Sequence, residues 1–436
     1  MLLSARTVHQ QQQHGQDVSM LAGSFNQVHG YGFPMIPMEG RFTESKFEYD
    51  PRPGAEFSST TLIDLLEAAA RAHPNDAAFQ KPRQDGAGDL AGGRNRFFSL
   101  RRGRPYTKYT WKEYRDLVMV AASAYIARGL KPMDTVNIRG INSPEWLIAF
   151  LGCIAAGGLP VGIYPTDTPE TLEFKARESA ASFIVVGSAE DAKIYQQFVG
   201  RVPTLKAMIT WDTEAPRDAL PGPFLEGPNR PRFLSWSEFV AENYGDGVRY
   251  ERIKSIKPGQ AAAVVYTSGA TGQPKGAMLS HDALTWAASV IDSSLLKNTP
   301  LGGRHRIFSH TPLSHVAGLV YDVVWPLYAT QLGGTRVTAF FPARCYAEKR
   351  CVPRQLTDAR PTVFVGTPEV WEGLRVRMDP ARRAGVFNKS SSARGLGLDK
   401  VKAAVNVGGP ILKGTHWFFH RAGIKILDVF GQSESA

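Results

Sequence analysis

Cysteine is scarce in this chain: only Cys153, Cys345 and Cys351 occur in 436 residues. An odd number without paired spacing builds neither a disulfide framework nor a zinc pattern, which points to a reducing compartment. No basic run interleaved with aromatics is present, so a nucleic-acid partner is set aside despite a formal net charge of +11. That charge implies affinity for anions without choosing among ATP, coenzyme A, fatty-acid carboxylates and anionic lipid. Long hydrophobic runs are also missing. Trp146 to Tyr164 carries no charge and is long enough to raise a membrane span, but Gly152, Gly157, Gly158 and Pro160 interrupt it. Gly157-Gly158 is read instead as the division between a buried helix and a strand, Leu159 to Tyr164. The Met1-Leu2-Leu3 start is too short for the apolar region of a signal peptide. Acids are scarce before Glu39, but so is arginine, and organelle targeting stays open. The expected location is the cytoplasm, with peripheral contact at an internal membrane as the variant. Oligomeric state is not legible.

What is present is ordinary for an enzyme, with 43% hydrophobic and 21% charged residues and ample length for a large core. Residues 1–52 lack periodicity and include Gln10 to Gln13, so they are read as a disordered leader. From Thr61 to Ala72, Leu62, Ile63, Leu65, Leu66, Ala69 and Ala70 fit one face of a helix that Pro74 closes. Residues 82–104 read as an exposed Gly- and Arg-rich loop. Thr110 and Glu113 are spaced as a capping box for a helix that stops at Gly129. A strand over Thr135–Ile138, a helix opened by Pro144, a helix over Glu173–Ser179 and a strand over Phe183–Val186 follow. That rhythm predicts a doubly wound α/β layer. Residues 212–232 read as a surface crossing, and Trp236 starts a helix leading to the strand Ala261–Val265.

After that strand comes Tyr266-Thr267-Ser268-Gly269-Ala270-Thr271-Gly272-Gln273-Pro274-Lys275-Gly276. Glycines let backbone N–H groups approach a polyphosphate, hydroxyls donate to its oxygens, and the lysine adds a point charge. A Walker P-loop does not fit, because no glycine directly precedes Lys275 and Gly276 stands where a magnesium-binding Ser or Thr is required. Lys275 also leads into a strand, Ala277-Met278-Leu279, rather than a helix; a helical pattern from Ser280-His281-Asp282 to Ile291 follows. An ordinary Gly/Ser turn between strands is the bland reading. The full pattern resembles the phosphate-binding signature of the adenylate-forming (AMP-binding) enzymes, Y-T-S-G-[ST]-T-G-x-P-K-G, with Ala270 in place of a hydroxyl residue.

Further segments resemble the same family. Asn142-Ser143-Pro144-Glu145-Trp146 and Gly162-Ile163-Tyr164-Pro165 are similar to long-chain acyl-CoA synthetases, particularly the bubblegum type. Thr311-Pro312-Leu313-Ser314-His315 resembles the block L-P-L-x-H, whose histidine lies beside the acyl carboxylate. A lone histidine beside Leu319 to Ala329 is otherwise more often structural. Arg360-Pro361-Thr362-Val363-Phe364-Val365-Gly366-Thr367-Pro368-Glu369-Val370-Trp371-Glu372 is similar to R-P-T-x-F-x-G-V-P-R-V-W-E, with Glu369 reversing the charge of an arginine. Arg375 to Arg394 is expected to be a loop. Gly408-Gly409-Pro410, after a strand over Ala403–Val407, resembles the turn that lies along adenine and the activated acyl group. A strand over Ile424–Val429 delivers Phe430-Gly431-Gln432-Ser433-Glu434, which resembles [YF]-G-x-[ST]-E. There Phe430 and Gly431 would meet adenine, Ser433 the α-phosphate and Glu434 Mg²⁺. A nucleophile elbow is excluded because Ser435 replaces its last glycine.

The resemblance implies an α/β fold with layered, doubly wound sheets and helices, the large N-terminal region over residues 53–436, incomplete at the C-terminus and without the mobile C-terminal domain. It implies a ligase in which a fatty-acid carboxylate attacks the ATP α-phosphate and coenzyme A then displaces AMP. Thr267 and Glu434 would hold Mg²⁺; Ser268, Gly269, Thr271, Gly272 and Lys275 would hold phosphate; His315, Lys275 and Glu434 would carry the chemistry. The alternatives are a catalytically silent nucleotide- or acyl-binding protein and another adenylate-forming enzyme such as an aryl-CoA ligase. A chain ending at Ala436 is expected to aggregate, or to bind ATP weakly without making acyl-CoA.

Overall fold

The computed structural model describes residues 59–82, 106–211, 231–241, 246–267, 272–295, 303–342, 352–383 and 393–435. The proposed leader, almost all of the 82–104 loop and most of the 212–232 crossing lie outside the described residues, as do Ser268, Gly269, Thr271, Cys345 and Cys351.

Fourteen described strands form two seven-stranded sheets. One sheet runs in the order β7 (Arg232–Ser235), β6 (Ala207–Thr210), β5 (Phe183–Val186), β3 (Thr135–Arg139), β4 (Leu159–Ile163), β8 (Ala261–Thr267) and β9 (Lys275–Ser280). The other runs β14 (Ile426–Asp428), β13 (Ala403–Asn406), β12 (Val363–Gly366), β10 (Gly303–Phe308), β11 (Thr335–Phe340), β1 (Ala77–Pro82) and β2 (Tyr106–Thr110). Every neighbouring pair is parallel except β8–β9 and β1–β2. Each sheet is therefore a parallel layer closed at one edge by a single antiparallel strand. All residues of β3, β4, β5 and β6 are buried, as parallel strands covered on both faces must be.

Local signals account for the helices. The Leu62–Ala72 helix opens on a capping box between Thr61 and Asp64, and Trp111–Ala127 opens on one between Thr110 and Glu113. Ser143 caps Pro144–Ala155 by accepting from the Trp146 N–H. That helix ends before Gly157-Gly158 and β4 follows, so the uncharged run divides where the glycines stand. No helix among the described residues is long and apolar enough to cross a membrane.

Four expectations need correction. Arg375–Arg383 is helical, within Pro368–Arg383, because Trp371, Leu374 and Met378 bury one stripe among the arginines. Residues 384–392 lie outside the described residues. A helix over Asp246–Ser255 stands between the Trp236–Ala241 helix and β8; its weak apolar face hid it. The helix read from Glu173 begins at Pro169, where Thr168 supplies the cap. The antiparallel pair β1–β2 was not legible because residues 83–105 separate its strands.

The two sheets meet through short side chains. An added Cβ at Gly162 in β4 would stand 2.8 Å from the Ser314 Cα, so only glycine permits this approach. Asn142, buried after β3, donates from Nδ2 to Ser309 Oγ (3.0 Å) and the Thr311 carbonyl (2.7 Å), and its Oδ1 accepts from the Leu313 N–H (3.1 Å). One side chain from the first sheet thus holds the loop that follows β10 in the second.

Candidate active site

The candidate residues emerge where parallel strands end, the usual ligand crevice of open α/β sheets. β8 carries Tyr266 and Thr267 to the start of the glycine-rich segment, and β9 returns from it with Lys275. Thr267 lies opposite Lys275 in register, and the Thr267 hydroxyl is 3.4 Å from the Lys275 carbonyl. Gly272 has φ 93°, a left-handed turn conformation that favours glycine. Lys275 is half-buried and is the first residue of its strand. The short turn Ser433–Ser435 packs against β9 with Cα separations of 8 Å or less. Residues far apart in sequence, Lys275 and the Ser433-Glu434 pair, therefore border one strand.

Gly408-Gly409-Pro410 follows β13 as a turn beside Thr367 and Pro368, which follow β12. Asn406, buried at the end of β13, holds it: its Nδ2 donates to the Gly409 carbonyl and to Asp428 Oδ1, both at 2.7 Å. Phe430 is 91% exposed and Gly431 is exposed beside it, so the ring offers a free flat face. Glu369 lies in the first turn of Pro368–Arg383, where a carboxylate suits the helix dipole and an arginine would not.

His315 follows β10 and opens the turn Val316–Gly318, accepting the Ala317 N–H on Nδ1 at 3.0 Å. Its ring meets Tyr164 edge-on at 6.3 Å between centroids. Burial lowers its pKa, so the ring is neutral near pH 7. A π-helical turn, Leu319–Val324, comes next; such turns often mark functional positions. Within it Asp322 is buried, and burial raises its pKa to about 8, with the Ser309 hydroxyl bond opposing. A protonated Asp322, Ser309 and Asn142 form one buried polar chain under the His315 loop. Most of Leu319 to Leu327 packs as core.

Sequence reasoning missed Lys175. It is 2% exposed, pairs with Asp167 Oδ2 at 2.6 Å, and lies over the rings of both Tyr266 and Tyr164. Tyr266 donates its hydroxyl to Glu178. The available signal was Lys175 standing beside Ala176 and three residues after Leu172, on the buried stripe of Pro169–Glu178. Asn406, Asp322 and Asn142 carried no comparable signal, since their partners come from distant strands.

Magnesium can be tested against these groups. Among the described residues no cluster of three or more His, Cys, Asp and Glu side chains could hold a metal ion by itself. A single carboxylate with a hydroxyl suits an ion that also takes phosphate oxygens and water into its shell; Thr267 at the end of β8 and Glu434 in the turn packed on β9 are groups of those two kinds.

The sequence matches the AMP-binding enzyme family over residues 66–436. It is 33% identical over 371 residues to the long-chain-fatty-acid–CoA ligase ACSBG2 of Gallus gallus, covering 76% of this chain and 46% of the relative. To the long-chain-fatty-acid–CoA ligase ACSBG1 of Homo sapiens it is 30% identical over 285 residues, covering 64% and 37%. The chain thus spans less than half the length of these relatives. Among solved structures, the A-PCP didomain of a carboxylic acid reductase from Segniliparus rugosus in complex with AMP superposes with TM-score 0.67 at 16% identity, over 96% of this chain and 57% of that one. The anthranilate CoA ligase AuaEII in complex with anthranoyl-AMP gives 0.62 at 17%, over 86% and 60%. These likenesses establish the fold as that of the N-terminal region of adenylate-forming enzymes. With the family match covering most of its length, the chain belongs to the AMP-binding enzyme family.

Proposed function

We propose that this chain carries the nucleotide and acyl sites of an acid–thiol ligase that activates a long-chain fatty acid with ATP, Mg²⁺ and coenzyme A. The observation that carries the reading is the packing of the Ser433–Ser435 turn against β9, whose first residue is Lys275. In this reading residues 53–436 form the large nucleotide- and acyl-binding domain. Lys275 and the backbone of Ser268, Gly269, Thr271 and Gly272 hold the phosphates; Gly408, Gly409, Pro410, Phe430 and Gly431 hold adenine; Ser433 meets the α-phosphate. Magnesium, when bound by Thr267 and Glu434, neutralises phosphate charge.

A carboxylate oxygen of the fatty acid attacks the α-phosphorus, and pyrophosphate leaves with the bonding pair. The coenzyme A thiolate then attacks the acyl carbon and AMP leaves. The protein's part is positioning and charge stabilisation. The neutral ring of His315 stands at the acyl side of the crevice, its place set by Tyr164 and by the Asn142-held loop. The test is exchange of labelled pyrophosphate into ATP, with and without palmitate. Palmitate-dependent exchange that Lys275→Ala abolishes is the expected result. Exchange driven equally by benzoate would favour an aryl-CoA ligase, and no Mg-ATP binding by calorimetry would overturn the reading.

A further inference from the structure

The second sheet has a cationic cavity on the face turned away from the first sheet. Phe79, Ile307, Val337 and Ala339 point into the shared core, so the alternate residues of β10, β11 and β1 face outward. A cavity of about 650 Å³ opens on that outer face, lined by Lys108, Arg304, Arg306, Arg336, Asp76 and Phe340 among others. In parallel register Arg304 stands beside Arg336, and Arg306 beside Thr338. Four cations thus converge from three strands, β2, β10 and β11.

Their neutralisation is incomplete. Asp76, the one acid lining the cavity among the described residues, is shared by Arg336 Nε (3.2 Å), Arg304 Nη2 (3.5 Å) and His73 Nδ1 (3.4 Å). Asp358 stands next to the cavity, but its carboxylate takes the Tyr106 hydroxyl and its carbonyl takes Arg306 Nη2. Among the described residues Lys108 Nζ reaches only the Asn75 carbonyl, at 3.4 Å. The Arg306 guanidinium lies 4.4 Å from the Phe340 ring centroid, and its Nε is buried with no hydrogen-bond partner among the described residues. A buried guanidinium N–H without an acceptor is costly, and an incoming anion would satisfy it. The cavity is of nucleotide size by the usual range of ligand sites.

We propose that this outer-face cavity is a second anion site that takes a phosphate-bearing ligand, separate from the nucleotide crevice between the sheets. Phosphate suits the arginines because guanidinium and phosphate pair in a fork geometry. Arg304 and Arg336 grip the phosphate from the rim, Arg306 supplies the inner N–H, and Lys108 adds a point charge. The ligand is a free polyphosphate or the phosphomonoester headgroup of a lipid, which offer the same chemistry here.

The experiment uses the full chain carrying Lys275→Ala, which weakens the nucleotide crevice, so that the binding lost with the arginine pair reports the second site. Inorganic pyrophosphate is titrated by calorimetry, and flotation is measured with phosphatidylcholine vesicles with and without phosphatidic acid. Pyrophosphate binding that weakens about tenfold or more in Arg304→Gln/Arg336→Gln supports the site with a free ligand. Flotation with phosphatidic acid, lost in the same double variant, supports it with a headgroup ligand. Asp76→Asn is expected to tighten whichever binding is seen, because it removes the one carboxylate competing for the arginines. Without Lys275→Ala, the double variant is expected to bind Mg-ATP as the parent does, so failure of the nucleotide reading is scored separately. Binding of neither probe, or binding indifferent to the arginine pair, overturns the proposal.

Discussion

The ε-ammonium of Lys175 lies 4.8 Å from the ring centroid of Tyr266. The same ammonium lies 5.3 Å from the ring centroid of Tyr164, and Tyr164 in turn meets His315. One buried cation therefore joins Tyr266 near the end of β8 to Tyr164, the ring that meets His315. Desolvation lowers the Lys175 pKa, and the hydrogen bond and charge of Asp167 oppose it. Lys175→Met is expected to destabilise the protein by about 3–5 kcal/mol, because it leaves Asp167 without its partner. Adding Asp167→Asn should restore much of that loss, as denaturant midpoints will show.

Lys275→Ala and Glu434→Ala are each expected to weaken Mg-ATP binding by about 1.5–3 kcal/mol, the range of charge-assisted contacts. Neither side chain is buried, so thermal midpoints should hardly move. Calorimetry giving parental affinity in both variants would remove these residues from the site.

The capping contact of His315 and its proposed place beside the acyl carboxylate can be separated by substitution. His315→Ala loses both the ring and the acceptor for the Ala317 N–H; His315→Asn keeps an acceptor suited to that capping position. Fatty-acid affinity is expected to drop in both, ATP affinity in neither, and stability only in the alanine variant. A histidine confined to capping would instead be fully rescued by asparagine.

Asp322 sets a pH dependence with a definite sign. Its pKa is about 8 in the folded protein against an ordinary 3.8, so between these values the folded state binds a proton that the unfolded state does not. Stability therefore falls as pH rises through this window, by about 1.4 kcal/mol per unit at the steepest. Burial takes His281 to about 3 and His310 to about 4, and these groups act oppositely, lowering stability as pH falls below about 6.5. From about pH 7.5 to 8, a full unit or more above the unfolded histidine value, the histidines are nearly silent and Asp322 acts. Asp322→Asn is expected to flatten the denaturation midpoint across that range; an unchanged slope would place the titration elsewhere.

Local elements were largely legible in the sequence, because capping boxes, Pro144 and Gly157-Gly158 act within a few residues. The long-range polar links were not. Asn142 looks like a helix-preceding turn residue until β10 brings Ser309 and Thr311 beside it, and Asp322 reads as a solvated charge in an apolar run. Arg375–Arg383 misled for the opposite reason: arginine density outweighed three well-spaced apolar residues. The packing of the Ser433–Ser435 turn against β9 could be expected only from the family resemblance, since no local pattern links positions so far apart. The cationic face was hidden because its members are scattered over three strands.

Because Lys275 is carried by a strand, its direction is governed by parity. β9 is pinned at its far end, where Ser280 Oγ accepts the Ala283 N–H and the His281 N–H donates to the Gln260 carbonyl. Sliding β9 by one residue against β8 would send the lysine to the opposite side of the sheet and drag every alternate side chain with it. A change of length between Thr267 and Lys275 alters only how far the chain must travel before that fixed strand begins. A one-residue change between Thr267 and Lys275 therefore leaves the lysine on its side of the sheet, whereas a one-residue change within β9 turns it over unless a register shift like the one between Ala261 and Ala263 absorbs it.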